Sequence, residues 1–250
     1  MQRKKSDTPR IWQHGRGGAC SSRESGKEHI MTIYEAMNER HSVRKYTERP
    51  IEAEKIAALV SAIDEIKAES GLNIELVLDE PKAFSGTLAK YGHFSGCTNY
   101  FCISAPDGKD EEIGYFGEKL VLLAQMLGLN TCWVVLTYSK RAVPANLREG
   151  EKVQAVISLG YGVHGGKPHR GKPMEALCAC EGEMPEWFKN GVEAAMNAPT
   201  ALNQQAFKLT LVGENKVKAE ATAARYAKMD LGIVKYHFEL GADGAYFEWI

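Results

Sequence analysis

Net charge is almost absent from this chain. Thirty-one Lys and Arg stand against thirty-two Asp and Glu, which leaves −1 with His neutral. So balanced a chain lacks the single-sign field on which general nucleic-acid or membrane-surface binding depends, so neither partner is expected. Long apolar runs are missing too. None reaches the roughly 20 residues that cross a bilayer, and Leu120-Val121-Leu122-Leu123-Ala124 suffices only for a buried helix. The six cysteines (Cys20, Cys97, Cys102, Cys132, Cys178 and Cys180) match no zinc spacing. Cys178-Ala179-Cys180 is too tight for a two-thiolate loop, so no metal is expected. Reduced, partly buried thiols in a cytoplasmic protein are the reading of this set. No Ser-His-Asp set and no carboxylate pair stands out, so no side chain is named as catalytic.

What is present is an ordinary globular composition, 44% hydrophobic and 25% charged over 250 residues, enough to bury a core in one large domain or two small ones. Residues 1–30 are different text: basic, rich in Ser and Gly, and nearly without aliphatics. Such a segment cannot bury enough apolar area to offset chain entropy, and is expected to be a disordered extension or an upstream-start artefact. Its positive start lacks the apolar middle of a signal peptide. Folding is expected to begin at Met31.

Thr32-Ile33-Tyr34-Glu35 has the form of a capping box, opening a short helix with Ile33, Tyr34 and Met37 on one face. Ile56, Leu59, Val60 and Ile63 mark a second amphipathic helix. Asn73 to Leu78 alternates as a strand does, and Tyr100 to Ser104 is another. Gly114 to Leu127 is apolar nearly all round, the pattern of a central buried helix, and Gly128 ends it. Strands follow at Thr131 to Leu136, Val153 to Gly160 and Phe207 to Val212, with helices from Trp187 and around Ile233 to Leu240. Helices and strands interleave without a βαβ rhythm, so the fold class is α+β, in layers.

A faint repeat runs through the chain. The helix from Glu54 and the strand after it echo the helix from Glu186 and the strand Phe207 to Val212. Gly117-Glu118-Lys119 with Gly128 similarly echoes Gly232-Ile233-Val234 with Gly241. Two such units would pack as the subunits of a dimer do. The expected halves are 31–177 and 178–250.

The densest chemistry lies in Arg40-His41-Ser42-Val43-Arg44-Lys45-Tyr46, directly after the first helix. Guanidinium forks bind phosphate bidentately and stay charged. The run reads as a flexible cationic turn that wraps a phosphate ester; a merely solvated basic turn is the plainer alternative. Followed by Pro50, it resembles the opening signature of the FMN-dependent nitroreductase family. Ala198-Pro199-Thr200-Ala201-Leu202-Asn203-Gln204-Gln205-Ala206-Phe207 resembles that family's Ala-Pro-Ser…Asn…Gln-Pro-Trp signature. Gly128-Leu129-Asn130-Thr131-Cys132-Trp133 is similar to its Gly-Leu-Gly-Thr-Cys-Trp stretch, and Ile157 to Gly162 with Lys167 and Arg170 to its closing strand and basic loop. The Ala-Pro-Thr motif sits in the last quarter, whereas ordinary members carry it near the first motif. That order is similar to a minor branch whose chain mimics the homodimer internally.

The resemblance implies a layered α/β/α fold with a mixed, mainly antiparallel sheet, and one complete FMN site per chain. Arg40, His41, Ser42, Arg44 and Arg170 would hold the FMN phosphate and ribityl chain. Pro199, Thr200, Asn203 and Gln205 would border the ring, although alone they read as a helix end with turn formers. Trp133, Val134, Val135 and Leu136 would pass beneath it, or else are plain strand core. Relatives often have a small residue where Val135 and Leu136 stand, which implies a narrowed substrate space, a shifted ring or lost tight binding. The absence of catalytic side chains suits flavin chemistry, in which the cofactor moves the hydride. NADH or NADPH would be the donor and a nitroaromatic, quinone or similar small molecule the acceptor. The alternatives are a non-catalytic flavin- or nucleotide-phosphate-binding module, and an α+β protein that binds some other phosphate. A monomeric pseudo-dimer and a homodimer are both open.

Overall fold

The architecture is that of a computed structural model, which describes residues 30–168 and 170–250. The reading of residues 1–30 therefore lies outside the described residues, Ile30 excepted. Helix α1 (Ile33–Glu39) opens with the capping box: Thr32 Oγ1 accepts from Glu35 N–H, and the Glu35 carboxylate accepts from Thr32 N–H. Helix α2 (Ala53–Ser70) ends where Gly71 turns to φ 71°. Its core stripe is Leu59, Ala62, Ile63 and Ile66; Val60, expected to be buried, is 43% exposed. The spacing is ambiguous there because i+3 and i+4 flank the same face.

Strand β1 (Asn73–Val77), the short helix α3 (Thr87–Tyr91) and strand β2 (Asn99–Ala105) lead into helix α4 (Asp110–Met126). Asp110, Glu111 and Glu112 fill its first turn, where the helix dipole favours acids. It is followed by β3 (Asn130–Val134) and β4 (Lys152–Gly160). The strand predicted through Leu136 stops at Val134, and Leu136 is 49% exposed. These strands form a four-stranded sheet in the order β1-β2-β4-β3, antiparallel throughout.

A second four-stranded sheet, β5-β6-β7-β8, takes its strands from Cys178–Ala179, Phe207–Val212, Lys216–Ala221 and Glu248–Trp249. It is mixed: β5 runs parallel to β6, β6 antiparallel to β7, and β7 parallel to β8. The alternation read for Phe207 to Val212 holds, with Phe207, Leu209 and Leu211 buried. Helices α5 (Met174–Leu177), α6 (Glu186–Met196) and α7 (Ala227–Gly241) complete the chain. The last helix begins earlier than its apolar run, because Tyr226 supplies the turn into it at φ 66°.

Two cores result. One packs α2 and α4 on the first sheet through Leu59, Phe101, Ile103, Leu120 and Ile157. The other packs α6 and α7 on the second sheet through Phe188, Leu209, Val234 and Phe238. Helices α4 and α7 meet between them. A Cβ on Gly114 would lie 1.9 Å from the Met229 carbonyl oxygen, and one on Gly232 1.9 Å from that of Glu111. The glycine in this crossing with Gly232 is Gly114, one turn before the Gly117 whose stretch echoes Gly232 in the sequence. Gly117 instead makes room for the indole of Trp133.

Candidate functional site

Helix α1 ends because Arg40 takes extended backbone, φ −68° and ψ 125°. The cationic run that follows is not the flexible turn expected from its composition. Val43 N–H donates to Thr131 O, Tyr46 N–H to Ser95 O, Val163 N–H to Lys45 O and Thr47 N–H to Tyr161 O, all within 3.0 Å. Pinned between β3 and two loops, the run is an extended strip. Val43 and Tyr46 point inward, and Tyr46 Oη donates to Val43 O while sharing a bond with Ser158 Oγ. Arg44 and Lys45 are exposed, and His41 and Ser42 are half-buried.

The Pro-Thr-Asn corner follows α6. Leu202, Asn203 and Gln205 all have positive φ (53°, 54° and 43°), a costly conformation for side chains of this size. Bonds over-determine it. Ala201 N–H lies 3.0 Å from both carboxylate oxygens of Asp230, and Gln205 N–H donates to Thr200 Oγ1. Burial pushes the Asp230 carboxyl up to about 7, against the pull of the Ala201 N–H. The buried Gln205 amide accepts from Lys172 N–H at 2.5 Å and donates to Met196 O at 3.1 Å. Asn203 Nδ2 donates to Arg170 O at 2.9 Å.

Strip and corner meet through the loop between them. That loop is bonded to the corner through Arg170 and Lys172, and at its other end Gly166 passes so near His41 that a Cβ there would lie 2.6 Å from His41 Cβ. A cavity of about 280 Å³ remains, lined by Asn38, His41, Pro168, Gly171, Met196 and Asn197. Asn197 Nδ2 donates to Asn38 Oδ1 at 3.0 Å across it.

Beneath lies a buried polar cluster. Arg40, only 5% exposed, turns inward and sets its Nε 3.9 Å from Glu118 Oε1. Glu118 Oε2 accepts from Trp133 Nε1 at 2.8 Å, and Oε1 lies 3.0 Å from His237 Nε2. Burial lowers the Arg40 pKa, and the Glu118 charge opposes that shift.

Of the residues singled out in the sequence, His41 lines the cavity and Gln205 backs its wall. Thr200 and Asn203 fix the corner, Arg170 holds it by its carbonyl, and Pro199 begins it. Arg40 and Trp133 meet through Glu118, and Ser42 runs beside Thr131. Val134, Val135 and Leu136 do not line the cavity: Val134 is buried in one cluster with Val43 and Tyr46 of the strip, Val135 packs on the first core, and Leu136 is exposed. Asn38, Asn197, Glu118, Asp230 and His237 went unnoticed as site residues. Glu118 had a signal, a carboxylate amid the most apolar helix, where a bare charge cannot stay. The asparagines looked like helix ends.

The family described as "Putative TM nitroreductase" matches residues 32–242. The chain belongs to this nitroreductase family. It is therefore a nitroreductase-family oxidoreductase. Among solved structures, a "putative nitroreductase" of Thermotoga maritima shares 22% identity, covering 89% of this chain and 88% of that one at a TM-score of 0.59, a likeness of fold. A "Putative NADH dehydrogenase/NAD(P)H nitroreductase" of Parabacteroides distasonis shares 21%, over 58% of this chain and 95% of its own, at 0.46. A Bacteroides fragilis nitroreductase with bound FMN shares 18%, over 56% and 94%, at 0.42. Comparison with curated proteins gave no match.

Proposed function

We propose that this nitroreductase-family chain binds FMN between its cationic strip and its Pro-Thr-Asn corner, taking hydride from NADH or NADPH and passing it to a nitroaromatic, quinone or similar small acceptor. One observation carries the reading: three segments remote in sequence converge on a single cavity, namely the cationic strip through His41, the basic loop through Pro168 and Gly171, and the end of α6 at Met196 and Asn197, directly before the Pro-Thr-Asn corner. The residues suit a flat, polar-edged group. Amides of Asn38 and Asn197 and the imidazole of His41 offer edge contacts, Met196 and Pro168 an apolar wall, and none of the described lining residues is acidic. Arg40 Nε is buried without a hydrogen-bond partner among the described residues, an unspent donor beside the site. At about 280 Å³ the cavity falls just short of the ~300 Å³ at which ligand pockets begin, so it suits part of a mononucleotide.

His41, Ser42, Arg44 and Arg170 would take the phosphate side, and Pro199, Thr200, Asn203 and Gln205 the ring side. Arg40 and Trp133 act from below, through Glu118. Bound flavin supplies the hydride chemistry. The chain binds, orients and excludes water.

The halves 31–177 and 178–250 form, in this reading, a pseudo-dimer with one site per chain. Apart from the short α3 between β1 and β2, the order helix, strand, strand, helix recurs as α2-β1-β2-α4 and α6-β6-β7-α7, and the reciprocal Gly114 and Gly232 contacts have the form of a two-fold interface. A cytoplasmic setting is supported by the described cysteines, all unpaired. No described helix is long and apolar enough to cross a membrane.

The purified chain is expected to be yellow or to bind added FMN, to bleach with NADH or NADPH without oxygen, and to regain colour with a nitro compound or quinone. Failure to bind FMN overturns the reading. Colour without bleaching favours the non-catalytic module, for which the small, loop-crossed cavity speaks.

A further inference from the structure

We infer that Glu118, paired with His237, is a positioning residue for this site: its one buried carboxylate sets both Arg40 and Trp133, tying the pocket to helix α7 of the second half. The inference rests on the FMN reading above.

Glu118 is fully buried, and so is His237. A carboxylate is retained in such a place only when paired and hydrogen-bonded. The Glu118 pairing draws on four elements. Trp133 Nε1 comes from β3, His237 Nε2 from α7 and Arg40 from the end of α1, while Glu118 itself sits mid-way along α4.

His237 is held at both ring nitrogens: Nδ1 lies 3.2 Å from Ala194 O and Nε2 lies 3.0 Å from Glu118 Oε1. Glu118 is thereby fixed from α7, while its carboxylate faces Trp133 Nε1 and the Arg40 guanidinium, which directly precedes His41 of the cavity lining.

Two of the residues so held, Arg40 and Trp133, belong to the stretches that the family motifs assign to the flavin, and they act on the cavity from behind its lining. Ala194, which holds His237, lies two residues before Met196 of the cavity lining. A shift of Glu118 would therefore move the cavity from below on two sides, through Arg40 and through α6.

The test uses the full chain with FMN, as wild type, Glu118→Gln and Glu118→Leu. Three quantities are read: the FMN dissociation constant, the midpoint potential of the bound flavin and the melting temperature of the free protein. Glu118→Leu is expected to weaken FMN by about tenfold or more, the loss of a charge-assisted hydrogen bond, and to shift the potential. Glu118→Gln, whose amide accepts from Trp133 and donates to His237, is expected to restore both to near wild type. If Glu118→Leu lowers only the melting temperature, with affinity and potential unmoved, Glu118 merely packs the helices and the inference is wrong. Should that variant not fold, Trp133→Phe removes the Oε2 bond alone, and unchanged FMN affinity there overturns the inference equally. Wild-type protein that binds no FMN removes the functional reading and this inference together, whereas binding indifferent to position 118 removes the inference alone.

Discussion

Gly114 and Gly232 lie against each other's helix in a reciprocal contact: each faces the carbonyl three residues before the other glycine. Only a hydrogen in place of Cβ lets α4 and α7 approach so closely, since a methyl on either would sit 1.9 Å from a backbone oxygen. Backbone cannot swing aside as a side-chain tip can. The equivalence of the two contacts is the local form of an isologous interface, here between two stretches of one chain.

Gly114→Ala and Gly232→Ala are each expected to destabilise the protein by about 3 kcal/mol, the upper end of overpacking costs. The double variant should cost less than the sum, because the first methyl already parts the helices. Urea denaturation of the three variants checks this; midpoints equal to wild type would show that the helices do not cross as described.

Arg44 and Arg40 are expected to behave differently. Arg44 is exposed, so Arg44→Ala should leave stability within about 0.5 kcal/mol while weakening FMN. Arg40→Ala strips the buried Glu118 cluster of its cation and should cost about 3 kcal/mol. Removing both arginines is therefore no neutral probe of the phosphate site, contrary to what a flexible surface turn would allow. Thermal melts alongside FMN titrations separate the two effects, and equal melting losses for both variants would contradict the inward placement of Arg40.

Asp230 gives the corner a pH signature. Its folded pKa of about 7 stands above the roughly 4 of an unfolded aspartate. Between those values the folded chain holds a proton that the unfolded chain releases, so stability falls as pH rises through the window and levels off above it. The loss is bounded by about 4 kcal/mol. Asp230→Asn can still accept from Ala201 and lacks this slope. The stability gap between variant and wild type should therefore widen in the variant's favour from pH 5 to pH 8; a constant gap would refute the assignment.

Tyr138 is fully buried, and its hydroxyl has no hydrogen-bond partner among the described residues. Tyr138→Phe removes a desolvated polar group at nearly constant shape and should stabilise the fold by about 1 kcal/mol. A lowered melting temperature would mean that the hydroxyl is satisfied after all.

Much of the fold was legible because its signals are local. Thr32 and Glu35 cap a helix across one turn, and Phe207 to Val212 alternates in and out within a single strand. Local signals also misled. Val60 fits the helical period yet faces solvent, since its neighbours one position either side of the stripe fill the core. The edge strands β5 and β8, of two residues each, carry too short a pattern to be seen at all.

At the candidate site, residue types were readable and directions were not. A cluster of Arg, His and Ser announces phosphate chemistry wherever it lies, but composition could not say that Val43 and Tyr46 pin the run flat or that Arg40 turns inward.

By itself the sequence determined the family, most of the longer helices and strands and the two motifs, because these depend on residue identity and on neighbours a turn or a strand apart. Tertiary structure alone decided that Asn38 meets Asn197, that Gly114 meets Gly232, and that Glu118 meets His237 across 119 residues. The physical reason is that a buried charge takes its direction from its counter-charge, and a close helix crossing from the backbone it abuts. Both partners lie in the other half of the chain.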